Sequence, residues 1–180
     1  MLVIIYYIVV YLFKLKLYIL IINYAYIYLY IFIYMKDQID NKDLDKAKNT
    51  LIGSPYTLVL CHGDDVFTST DRGVAPLLKI LDDKKDVSLY SAADKVIGNG
   101  AAFLYVILGI KNIYSGIISK PALNTLQSNG INIVYDTLVD NIVNRMKTGL
   151  CPIESAVSGI TDPTEALSAI RKKIAEMKKK

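Results

Sequence analysis

The chain predicts an α/β domain, a three-layer α/β/α sandwich around a mixed sheet. Three observations lead there. Helical periodicities alternate with short β-branched runs from residue 40 onward. One strand pair is joined tightly enough to be antiparallel. The later strands are separated by helices, as parallel strands must be.

The elements follow in order. Asp40 to Leu51 has helical spacing, and Gly53-Ser54-Pro55 stops it. TLVLCH, 57–62, has the composition of a buried strand. GDD and then VFTST make a hairpin with it. Arg72 to Leu81 is helical, with Val74, Leu77, Leu78 and Leu81 on one face. DDKKD is a solvated loop, and VSLY, 87–90, a short strand. SAADKVIGNGAAFL opens a helix from about Ala92 to Leu108. NIYSGIIS is the next strand. PALNTLQSN is a helix with Pro121 in its first turn, ended by Gly130. INIVY, 131–135, is a strand, and DTLVDNIVNRMKTG is irregular. CPIESAVSG holds a short helix. Asp162-Pro163 caps and starts the last helix, which runs into a lysine tail.

Residues 1–34 form a separate region. They hold nine Tyr, nine Ile and no acidic residue among 34. Leu17 to Met35 is long and apolar enough to span a bilayer, which needs about 20 residues. Tyr is spread along it rather than gathered at two interfaces, as membrane spans prefer. Its residue types are those of A/T-rich codons, and Met35 precedes an ordinary domain start. Two readings therefore stand: an upstream stretch translated in error, or a membrane segment. The domain proper is 35–180, with a basic C-terminal tail. The expected location is cytoplasmic, or membrane-anchored through residues 17–35 if that segment is real.

Charge excludes some functions. The chain's net charge is +4, but six basic residues lie in the last ten. Residues 35–170 alone carry 13 basic and 16 acidic side chains, a net −3. Nucleic-acid readers usually show a basic stripe with aromatics, so DNA or RNA binding is not expected. Two cysteines, Cys61 and Cys151, are too few for a disulfide framework. His62 is the only histidine, and its neighbour Cys61 should face the other way on a strand. No metal and no cofactor is expected.

Two readings compete at the opening of the 92–108 helix. Ser91-Ala92-Ala93-Asp94 fits a capping box, in which Asp94 only secures the helix end. Gly98, however, costs about 1 kcal/mol within a helix relative to alanine. With Ala101 and Ala102 it makes a small-residue face beside a positive helix end, where an anion could approach. Under that reading Asp94 accepts hydrogen bonds from a ligand, Lys95 meets an anionic group, and Gly98 gives close approach. Arg72, Asn144, Arg145 and Cys151 are further lining candidates. Cys151 precedes Pro152, so it sits at a helix N-cap, where the dipole favours a thiolate. Packing as a small residue is the rival role.

LCHGDDVFTSTDRGVAPLL, SAADKVIGNGAAFLYVILG, SGIISKPAL and NRMKTGLCPIESAV together resemble domain-of-unknown-function family 1893. The resemblance covers about residues 40–175 and implies a cytidine-deaminase-like fold. Zinc deaminases of that fold place His-or-Cys, Ala, Glu at one helix start and Pro-Cys-x-x-Cys at the next. Matching element order puts Ala92, Ala93 and Asp94 at the first motif and Pro121–Thr125 at the second. Ala92, Ala122 and Thr125 then stand where zinc ligands would be, and none can serve. Zinc-dependent deamination is not expected.

The sequence thus points to a zinc-free domain that binds a small anionic or nucleotide-like ligand. A non-zinc enzyme is the first alternative, with Asp94 as acid or base and Cys151 as nucleophile. A structural or partner-binding domain is the second. The fold class also permits a homodimer.

Overall fold

The computed structural model describes residues 2–179, with side chains for 11, 14–35 and 42–179. Met1 and Lys180, the outer limits of the two sequence regions, lie outside the described residues. Two compact units emerge, 1–39 and 40–180. The first helix, α1, is Leu2–Leu51. Within the first unit, Lys14–Met35 is 22 residues of mean hydropathy 1.8 with none buried. Length and composition would let it cross a bilayer.

The second unit is a mixed α/β fold. Its strands are β1 (Leu58–His62), β2 (Asp65–Ser69), β3 (Ser91–Ile97), β4 (Asn112–Ser119) and β5 (Asn132–Val139). Its further helices are α2 (Ala75–Asp82), α3 (Asn99–Leu108), α4 (Lys120–Ser128), α5 (Pro152–Ala156) and α6 (Pro163–Lys178). The sheet order is β2-β1-β3-β4-β5. β1 runs antiparallel to β2 and β3, while β3, β4 and β5 are parallel.

Alternation along the strands feeds two cores. Leu58, Leu60, Ala92 and Ile113 join Phe103, Leu104, Leu126 and Ile170 on one face. Val59, Cys61, Ala93 and Tyr114 face the other way and meet Leu44, Ala47 and Leu51 from the end of α1. Cys61 is buried and His62 exposed, as their alternation requires.

Four expectations need correction. The 92–108 helix does not begin at Ala92, because residues 91–97 form the central strand β3. β3 lies between β1 and β4, and Ala92 and Ala93 are buried on opposite faces. A strand covered on both sides shows no polar alternation, and its partners lie far off in sequence. Pairing therefore overrides the helical appearance of SAAD. VSLY is not a strand; Ser88 and Leu89 lie in a turn before β3. The helix expected from Arg72 starts instead at Ala75, behind Gly73 at φ +62°, with Pro76 in its first turn. β5 also continues to Val139, into the stretch read as irregular. It is an edge strand exposed along most of its length, so no buried face marked it.

Candidate functional site

Asp94 and Lys95 are adjacent on β3, so they point to opposite faces and do not form a pair. Lys95 is exposed and its Nζ donates to the Ser54 carbonyl at 2.8 Å. Asp94 is only 8 % exposed and turns toward α3. The Tyr105 hydroxyl donates to its Oδ2 at 2.9 Å, and the Val96 N–H donates to its Oδ1 at 3.0 Å. Burial lifts the Asp94 pKa from 3.8 to about 7, against the pull of both hydrogen bonds. Burial, then the Asp94 charge, pushes Tyr105 well above its ordinary value. Asp94 caps no helix.

The turn out of β3 brings in a residue from a distant part of the chain. Gly98 is the N-cap of α3, so no side chain there can satisfy the first turn. Glu154 does so from α5: its Oε2 accepts from the Asn99 N–H at 2.7 Å. A Cβ on Gly98 would stand 2.4 Å from that oxygen. One on Gly100 would stand 2.4 Å from Ile153 Cγ2. The two glycines therefore admit α5 to α3, and the helix end already faces a carboxylate rather than an open anion site. Glu154 is not among the candidate site residues that the sequence singled out. The glycine N-cap, which leaves donors to be met from a distance, is the signal that could have exposed it.

Asn99 makes a further tie, its Oδ1 accepting from Thr125 Oγ1 on α4 at 2.7 Å. After β5 the chain folds back on itself. Val143 bridges Leu150, and the Cys151 N–H donates to the Ile142 carbonyl at 2.8 Å. Asn144 Oδ1 holds the loop by accepting from the Thr148 N–H at 3.0 Å. Cys151 is half-buried at the N-cap of α5 and makes no side-chain cap bond.

These elements enclose a cavity of about 880 Å³. Arg72, Asp94, Lys95, Gly98, Asn144, Arg145 and Cys151 all line it. Glu154 also lines it, as do apolar groups including Val74, Ile142 and Ile153. All seven residues selected from sequence therefore border one space. Two buried carboxylates, Asp94 and Glu154, are among the lining residues, while Arg72 and Arg145 are exposed.

A mixed five-stranded sheet with a mostly apolar, carboxylate-lined cavity defines an α/β domain with a built pocket. The chain belongs to the DUF1893 family, a domain of unknown function, whose profile matches residues 46–174. It is similar to the crystal structure of a DUF1893 family protein from Thermotoga maritima. That likeness has 25 % identity and a TM-score of 0.58, and covers 67 % of this chain and 80 % of the other. Comparison with curated protein sequences finds no match.

Proposed function

We propose that this domain binds a small nucleotide-like ligand in the 880 Å³ cavity, without zinc. The observation carrying this is the division of the lining. Apolar walls suit a planar ring, and Asp94 and Glu154 can accept its N–H groups. Arg72 and Arg145 can meet an anionic group at the exposed side. Lys95 would first have to leave Ser54. The anionic part of the ligand belongs at this rim and not at the α3 start, where Glu154 would repel it.

We read the fold as a cytidine-deaminase-like three-layer sandwich, supported by core clusters on both sheet faces. The deaminase zinc does not fit. Counted from the observed helix starts, its positions fall near Gly98–Gly100 and Pro121–Thr125, which offer no thiolate or imidazole. Instead the Thr125–Asn99 hydrogen bond joins these two helix starts. Among the described residues no group of three His, Cys, Asp or Glu could hold a metal ion. The proposed location is the cytoplasm, with residues 17–35 as a membrane anchor in the alternative.

The test is thermal unfolding of the full chain with nucleoside monophosphates, the parent nucleosides, phosphosugars and common metals. Nucleoside monophosphates should raise the unfolding midpoint of the native protein and not of Asp94→Ala. No shift with any nucleotide would remove the reading and favour a partner-binding domain.

A second reading is an enzyme, favoured by one observation: Asp94, titrating near neutrality, shares its cavity with Cys151. Asp94 would be the acid or base and Cys151 the nucleophile. Iodoacetamide should then alkylate Cys151 faster than free cysteine at neutral pH. An equal or slower rate counts against the nucleophile.

A further inference from the structure

Glu154 has one oxygen too many for a helix cap. It is 6 % exposed, and its Oε2 is bound to the Asn99 N–H. Its Oε1 is buried and has no hydrogen-bond partner among the described residues. A carboxylate oxygen can only accept, so it requires an N–H or O–H donor, and leaving a buried acceptor unpaired is unfavourable. The side chain borders the main cavity and also a smaller space of about 180 Å³ beside Asn99 and Ser155. Glu154 thus offers an unsatisfied acceptor that a donor group entering from either space would pair, while Arg72 and Arg145 are exposed.

We infer that Glu154 is a ligand-anchoring residue, whose Oε1 accepts a hydrogen bond from an amino group of a nucleobase. This rests on the nucleotide-binding reading and narrows it to purine nucleotides whose base carries an exocyclic amino group. The base enters first and the phosphate faces the two arginines. Gly98 is part of the device, because a side chain there would push the carboxylate off its seat. Asp94 offers a second acceptor wall, but its two oxygens already receive the Val96 N–H and the Tyr105 hydroxyl.

The experiment titrates the full chain with two nucleotide pairs that differ mainly at the amino group. One pair is AMP and purine riboside 5′-monophosphate; the other is GMP and IMP. In at least one pair the amino-bearing member should bind the native protein about tenfold or more tighter, since its partner leaves the acceptor unsatisfied. Glu154→Gln should abolish that preference. The amide oxygen can still cap Asn99, while the amide N–H₂ replaces the acceptor with a donor. A purely structural Glu154 would lower the unliganded unfolding midpoint on substitution and leave the preference in place. Equal binding within both pairs by the native protein overturns the anchor while leaving nucleotide binding intact, with water meeting Oε1 instead. Persistence of the preference in Glu154→Gln also overturns it. Binding of none of the four overturns the anchor, and with no midpoint shift from any other nucleotide it overturns both readings together.

Discussion

Asp94→Asn is expected to flatten the pH dependence of folding stability between about pH 4 and pH 7. The native carboxyl titrates at about 7 in the folded protein against 3.8 as an ordinary aspartate. Between those values the folded state holds a proton that the unfolded chain has lost. The stabilising contribution is therefore complete below pH 3.8 and declines as pH rises toward 7. Roughly three pKa units correspond to about 4 kcal/mol. The variant keeps an acceptor for the Val96 N–H and can donate to the Tyr105 oxygen, so the local hydrogen bonds persist. Urea midpoints of both proteins, measured from pH 4 to 8, should diverge, with the native protein losing stability relative to the variant. Parallel curves would show that Asp94 ionises normally in the folded state.

Gly98→Ala is expected to destabilise the domain by about 1–2 kcal/mol, and through Glu154 rather than through the backbone. Gly98 has φ −94° and ψ 171°, extended values open to any residue. The difficulty is the added Cβ, 2.4 Å from Glu154 Oε2 and 3.2 Å from Ile142 Cγ1. The carboxylate must leave the Asn99 N–H, and losing a hydrogen bond to a charged group costs about 1.5–3 kcal/mol. Reduced freedom of the unfolded chain returns about 0.4–1 kcal/mol. A double-mutant cycle with Glu154→Ala reads the contact directly. With Glu154 already truncated, Gly98→Ala should be close to neutral. Additive effects would mean that the two positions do not communicate.

Much of the architecture was legible because local signals agreed. Turn chemistry around Gly63-Asp64 marked the β1–β2 hairpin, and Pro121 and Asp162 marked the starts of α4 and α6. β3 was not legible. Ser91, Ala92, Ala93 and Asp94 satisfy a helix-start pattern, and only pairing with β1 and β4 makes them a strand. The site divides the same way. Arg72, Asp94, Asn144, Arg145 and Cys151 drew notice as polar or reactive residues at element ends, and the fold gathers them around one cavity. Glu154 was hidden because the donor it serves lies 55 residues away. No local spacing records such a contact.

The smallness of α5 has a consequence for how the pocket wall behaves in time. Five residues cannot sustain a helix alone, because nucleation is unfavourable and too few bonds follow. Its order is borrowed from its neighbours α6 and α3, the latter through Ile153 in the notch of Gly100 and Glu154 on Asn99. Its amides should therefore exchange with solvent by local undocking, well before the sheet opens. Cys151 and Pro152 would move with it, so access to the interior would be governed by a small, separately melting latch.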